Sequence, residues 1–302
     1  MKEGVNMGVF NRIAVALVTP FNTLGEVDSK RLQQLVEWHI HEGIETFLLN
    51  SITAEARSLQ DEELQEVISS VVSVAQGRAK VIVALDEGHV ATAAQFIIDA
   101  EISGVDAILL SMPDVFLSDA SGARQYVEYV VDHTNMPIIL HFDGMQHSYD
   151  YDALDFLPLV ELPRVSGVNV TNVDLEYVNN LVNLLPESCA FYSSDEHLLV
   201  PYMAMGFAGV FSSVANLYPK VVQQLASLAE QEDYAALRSQ ARTIFLLNEA
   251  LSDVAGIKAA LNITGISVGD VRLPLTKKPT EVTRYIKDLL EEIEADALFP
   301  TD

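Results

Sequence analysis

The sequence predicts an α/β protein organised as a closed (β/α)8 TIM barrel with a C-terminal helical extension. Three observations carry that prediction. Eight short β-prone runs recur along the first 216 residues, and each but the last is followed directly by a helical pattern before the next run begins. The repeat is roughly thirty residues long, the size of one βα unit, and eight such units close a barrel. The glycine fingerprint that opens a dinucleotide-binding sheet is missing after the first run.

Ile13 to Val18 is a β-prone run closed by Thr19-Pro20. Asp28 is placed to cap a helix in which Leu32, Leu35, Val36 and Ile40 share a face until Gly43. Thr46 to Leu49 is the second strand, and the polar loop Asn50 to Glu55 separates it from a helix over Asp61 to Ala75. The unit then repeats, with strands over Val81 to Leu85 and Ala107 to Leu110 and helices over Ala91 to Ser103 and Ala123 to Asp132. Pro137 to Gly144 and Val165 to Val170 are apolar runs that end abruptly in polar side chains, as buried parallel strands do where they deliver chemistry to a barrel rim. Tyr151 to Val160 is the helix between them, and Leu175 to Leu184 follows. Ala190 to Tyr192, a helix around His197 to Met205 and Gly209 to Ser212 complete the series. Beyond Leu217 the pattern is helical only, over Val221 to Glu230, Tyr234 to Leu251, Ile257 to Leu261 and Thr280 to Glu294. Residues 1–216 are thus the expected barrel and 217–302 an extension packed on it, with no Gly/Ser-rich or Pro-rich linker between.

Composition bounds the function. With 302 residues and 49% hydrophobic content the chain can bury a large core. Its 43 acidic against 18 basic residues give a formal charge of -25, a field that repels nucleic acid and anionic membranes. The single cysteine, Cys189, forms no intrachain disulfide and precedes an apolar-aromatic pair, which reads as a buried structural thiol. No signal-peptide pattern and no membrane-length apolar run is present, so a cytoplasmic protein is expected.

Several short motifs now take on meaning through their order. They are Leu17-Val18-Thr19-Pro20-Phe21, Gly104 to Ala107, Pro137 to Leu140, Gly206 to Gly209 leading into Phe211-Ser212-Ser213, Val214 to Asn216, Lys258 to Leu261, and Val271 to Pro274. In this order and spacing the chain resembles the family of dihydrodipicolinate synthase and N-acetylneuraminate lyase. The resemblance implies a barrel followed by three helices, assembled as a homo-oligomer, either dimer or tetramer. It also implies a reaction begun by a lysine at the end of the sixth strand, which forms an imine with pyruvate or a related 2-oxo acid.

The match of reacting groups fails. Asn169 stands where the resemblance calls for the lysine, and a delocalised carboxamide nitrogen forms no imine. No lysine occurs between Lys80 and Lys220 to replace it. His141-Phe142 stands for the relay tyrosine and its asparagine, Ile52 for the relay threonine beside the retained Thr53, Asp114-Val115 for a tyrosine pair, and Gln146 for a carboxylate-binding arginine.

The predicted mouth instead holds Asp86, Glu87, His141, Asp143, Asn169, Ser194 and Asp195. His141 and Asp143 are the candidate catalytic residues, and Ser51, Thr53, His141, Asn169, Asp195 and Phe211 the candidate substrate-binding ones. Asp174 and Asp195 are also placed to cap helices. No cofactor or bound metal is expected: His-Glu-x-x-His does not occur, and the one His-x-His, His39-Ile40-His41, lies on the first predicted helix and not at the mouth. Two readings stay open. In one, the chain has lost Schiff-base aldolase chemistry and either binds a small molecule or acts as a non-catalytic homologue, a structural or regulatory partner. In the other, it is a lyase or hydro-lyase acting on a small oxo acid through His141 and rim carboxylates, by acid-base or metal-assisted catalysis.

Overall fold

The computed structural model describes residues 8–10, 12–112, 120–145, 152–238, 240, 246–247, 251 and 253–295. Eight parallel strands close a barrel in sequence order: β1 Arg12–Ala16, β2 Thr46–Leu49, β3 Lys80–Leu85, β4 Ala107–Ser111, β5 Ile138–Asp143, β6 Val165–Thr171, β7 Ala190–Ser193 and β8 Gly209–Ser212. The helices α1 Ser29–His41, α2 Asp61–Ala75, α3 Val90–Ile102, α4 Ala120–Val131, α5 Ala153–Val160, α6 Leu175–Leu184, α7 Leu199–Ala204 and α8 Pro219–Glu230 alternate with them. Beyond these lie α9 Val254–Ile263 and α10 Thr280–Ala295, which pack on each other. The predicted helix over Tyr234 to Leu251 falls in part outside the described residues.

Local chemistry sets the ends of the elements. Asp28 caps α1 by accepting the Arg31 N–H, and Asp253 starts α9 earlier than its apolar pattern does by accepting the Gly256 N–H at 2.8 Å. The first strand stops at Ala16 although the apolar run continues, because the Val18 N–H is taken by Asn216 Oδ1 at 3.1 Å. The same amide donates to the Ala16 carbonyl at 2.7 Å, so one buried side chain seals the seam where β8 meets β1. The helix predicted around His197 to Met205 divides into a single 3-10 turn, Glu196–Leu198, followed by α7.

Two apolar layers result. One lies between strands and helices. The other fills the barrel with Ala14, Ala16, Leu48, Ile82, Leu109, Ile139, Tyr192 and Phe211, joined from below by Phe10. Phe10 stacks on Tyr192 at 4.5 Å between ring centroids, and the Tyr192 hydroxyl donates to the Phe10 carbonyl at 3.2 Å. The lower barrel is therefore a packed plug, and open chemistry is confined to the other end. No helix among the described residues is long and apolar enough to cross a membrane.

Candidate functional site

Strand alternation points the critical side chains inward. Ile139 belongs to the barrel interior, so its period-two neighbours His141 and Asp143 share that face at successively higher levels. Register then aligns Ser111 with His141, His141 with Asn169, and Asn169 with Tyr192 across adjacent strands. Asn169 is 0% exposed, and its Nδ2 donates to His141 Nδ1 at 2.7 Å and to Ser194 Oγ at 3.1 Å. With the amide nitrogen as donor, Nδ1 is the acceptor and the neutral ring carries its proton on Nε2. Asn169 Oδ1 is buried with no hydrogen-bond partner among the described residues. An unanswered buried acceptor is destabilising and marks a site kept for something other than stability.

Above this level the carboxylates are already engaged. Asp143 Oδ1 accepts the Met145 N–H and the Asn172 side-chain N–H, each at 2.9 Å. Asp195 accepts from Thr171 Oγ1 at 2.6 Å and from the Asn172 N–H at 2.9 Å. Asp195 therefore ties β6 to β7 and does not cap the turn after it, whereas Asp174 does cap α6 through the Tyr177 N–H. Asp86 faces Arg57 at 3.1 Å, and the Arg57 side chain is 89% exposed, so this cation of the loop after β2 points to solvent. Phe211 is 2% exposed and packs against Phe10 and Tyr192 in the barrel interior. Thr53 is buried, and Ser51 Oγ is buried without a partner among the described residues. Asp114, Val115, Gln146 and His147 lie outside the described residues.

Two carboxylates that the sequence alone does not single out are among the most buried. Glu196 accepts from Ser212 and Ser213 hydroxyls and from the Ser213 and Val214 N–H groups, which pins the end of β8 beneath the turn after β7. Its burial pushes the carboxyl above the usual carboxylate range despite those donors. Glu55, in the loop after β2, forms a 2.5 Å ion pair with Lys258 of α9, with the two side chains 0% and 2% exposed. The geometry is that of an ion pair and not of a well-angled hydrogen bond to Oε1.

Lys258 also donates to the Asp270 carbonyl at 3.2 Å and lies 4.0 Å over the Phe21 ring, with the Arg272 guanidinium 4.2 Å from the same ring. Arg272 in turn donates its N–H to Glu55 Oε2 at 2.8 Å and its side chain to Glu63 at 2.7 Å. Gly269 completes the approach, since at φ +72 a Cβ there would sit 2.0 Å from the Phe21 carbonyl. Assigned from sequence to the extension alone, Lys258 in fact reaches the loop that borders the mouth, where it is sealed by its partners. Lys80, at the first residue of β3, donates to the Val9 carbonyl at the opposite end of the barrel.

Among the described residues no group of three or more His, Cys, Asp or Glu side chains is arranged to hold a metal ion. Cys189 is buried, and burial pushes its thiol up to about 12, far from the range of a nucleophile.

The chain matches the dihydrodipicolinate synthetase family over residues 9–293. The 4-hydroxy-tetrahydrodipicolinate synthase of Clostridium tetani is 31% identical over 278 residues, covering 89% of this chain and 92% of that one. The enzyme of the same name from a Thermoanaerobacter species is 29% identical over 290 residues, covering 95% and 97%. The crystal structure of the chloride-inhibited dihydrodipicolinate synthase from Acinetobacter baumannii, complexed with pyruvate, superposes with a TM-score of 0.89 at 27% identity, covering 95% of this chain and 99% of that one. Agreement over nearly the full length, in sequence and in the closed barrel alike, makes this chain a member of the dihydrodipicolinate synthetase family.

Proposed function

We propose that this family member binds a small molecule at the barrel mouth and has lost the imine-forming aldolase reaction. The observation that carries the reading is Asn169, an uncharged carboxamide on β6 held between His141 and Ser194. Imine formation needs an amine lone pair, and in a carboxamide that pair is delocalised into the carbonyl. Lysine chemistry has no other source at this level. The chain has none between Lys80 and Lys220, Lys80 is at the far end, and Lys258 is sealed against Glu55.

Electrostatics support the same reading. Asp86, Glu87, Asp143 and Asp195 surround a mouth whose nearby cation, Arg57, faces solvent, so a 2-oxo acid anion gains little there. The orphaned Asn169 Oδ1 supports a ligand, or a water held with it, that supplies a hydrogen-bond donor. The second reading, a lyase or hydro-lyase working through His141, draws on one contact: the amide fixes the imidazole tautomer as a general acid or base requires. In both readings the protein is a cytoplasmic homo-oligomer, dimer or tetramer, with residues 1–216 as the barrel and 217–302 as the extension.

Borohydride reduction in the presence of pyruvate, read by intact mass, tests the loss of imine chemistry. The unmodified mass is the expected result. A stoichiometric adduct at any lysine overturns the proposal.

A further inference from the structure

A cleft of about 660 Å³ lies between α9 and α10, within the range of roughly 300–1,000 Å³ typical of small-molecule sites. Its charge is opposite to that of the molecule. Lys258, Lys277, Lys278, Arg284 and Lys287 line it, in a chain whose formal charge is -25. Four of the chain's 18 basic residues fall within residues 277–287, against one acidic residue, Glu281.

Not all of these charges are available. Lys258 is neutralised by Glu55, and Lys278 lies 2.7 Å from Asp253. Lys287 meets Glu291 only at 3.5 Å, with both side chains largely in solvent, a pair easily broken. Lys277 and Arg284 are exposed and have no carboxylate partner among the described residues. Asp270 and Asp288 in the wall oppose an anion, but Asp270 already accepts Lys258 through its carbonyl and lies beside that cation.

The backbone adds to the cationic field. Thr280, the first residue of the 16-residue α10, lines the cleft, and the residue before it is Pro279, whose side chain has no atom to cap the first N–H groups. Those N–H groups and the positive end of the helix dipole favour an oxyanion. Arg284 and Lys287 sit about one and two turns farther along, on the face that also carries Thr283 into the cleft. Small side chains of α9, Ala255 and Ala259, form the opposite wall and leave the volume open.

We propose that this cleft is a binding site for a small phosphate-bearing dianion, separate from the barrel mouth. Unpaired Lys277 and Arg284 supply the charge, and the uncapped start of α10 supplies hydrogen-bond donors. The strongly acidic remainder of the surface repels the same ligand, which confines it to this cleft.

Isothermal titration calorimetry of the full chain with inorganic phosphate, at ionic strength fixed with sodium chloride, tests the proposal. Saturable one-site binding is expected, weakened about tenfold or more in the Lys277→Ala, Arg284→Ala double variant. Both side chains are exposed and unpaired, so the variant folds as the parent does, and a thermal melt checks this. A control Lys30→Ala variant, altered at an exposed cation outside the cleft, is expected to bind as the parent does. A parallel titration with glycerol 3-phosphate separates the sources: tighter binding assigns the cleft to a phosphate monoester, and equal binding to free phosphate. Heats no larger than the sodium chloride blank, or affinity unchanged in the double variant, overturn the proposal.

Discussion

Replacing Asn169 by leucine, a change of shape small enough to fit the same space, separates stability from function at the mouth. The substitution removes two hydrogen bonds, to His141 Nδ1 at 2.7 Å and Ser194 Oγ at 3.1 Å. Each contributes about 1 kcal/mol net, so the loss is about 2 kcal/mol. The same substitution removes a buried acceptor, Oδ1, that has no hydrogen-bond partner among the described residues. Relief of that penalty returns about 1–3 kcal/mol, and the leucine adds apolar contact in a site that is 0% exposed. Half-buried His141 can rehydrate its freed nitrogen, which limits the cost of losing the amide. Asn169→Leu is therefore expected to unfold in urea within about 1 kcal/mol of the parent, or to be more stable. A drop of more than about 2 kcal/mol at unchanged m-value refutes the reasoning, because the amide is then a satisfied structural group.

Two further outcomes follow from buried titratable groups. His39 is 0% exposed with its ring nitrogens 2.8 Å and 3.2 Å from the Leu35 and Ala215 carbonyls, and burial lowers its pKa to about 4. The unfolded chain takes up a proton near pH 6.5 that the folded chain refuses until about pH 4, so stability is present above pH 6.5 and is lost as pH falls through that window. The loss between pH 7.5 and 4.5 is about 2–3 kcal/mol; urea melts of the parent and His39→Met are expected to show it as a difference in slope, and parallel slopes contradict it. Lys258→Met leaves the Glu55 carboxylate buried without its counter-charge and is expected to lower stability by about 3–5 kcal/mol in the same assay, with much of that recovered on adding Glu55→Gln. A fully stable Lys258→Met protein rules out the buried pair as a structural tie.

The barrel was legible because its signals are periodic and local. Thr46–Leu49, Asp61–Ala75, Leu175–Leu184 and Gly209–Ser212 stand in the structure with the bounds their patterns predict. One discrepancy arises where a distant side chain intervenes, at Val18, whose N–H is claimed by Asn216, 198 residues away, and another from a local cap, Asp253 at the start of α9. The site was legible to the level of strand ends: His141 and Asn169 are in register and touch. What single-sequence reading does not reach is pairing across the fold. Asp195 looks like a helix cap in sequence, yet its oxygens are taken by Thr171, the last residue of the neighbouring strand, and by Asn172 just after it. Phe211, near the end of β8, reads as a pocket residue in sequence, and its contact with Phe10 from the segment before β1 is not legible there.

Several of the motifs by which the chain is related to its family serve to join elements of the scaffold. Phe21, Glu55, Lys258 and Arg272 converge in one cluster that fastens α9 and its following loop to the loop after β2. Asn216 and the Ser212 to Val214 turn, held by Glu196, close the barrel seam. Each of these contacts fixes where elements sit, and none offers a free nucleophile or a free base. Family membership therefore follows from a scaffold that can persist whatever stands at position 169 of β6. A lysine there would sit in a fully buried pocket beside His141, where desolvation lowers an amine's pKa and makes it reactive. An asparagine in the same pocket carries no charge to desolvate, and its amide hydrogens are taken up by His141 and Ser194. The same enclosure that would activate an amine leaves the carboxamide acceptor, Oδ1, exposed to nothing but a ligand or a water. On the function proposed above, loss of imine chemistry and gain of an unanswered acceptor are two consequences of a single residue.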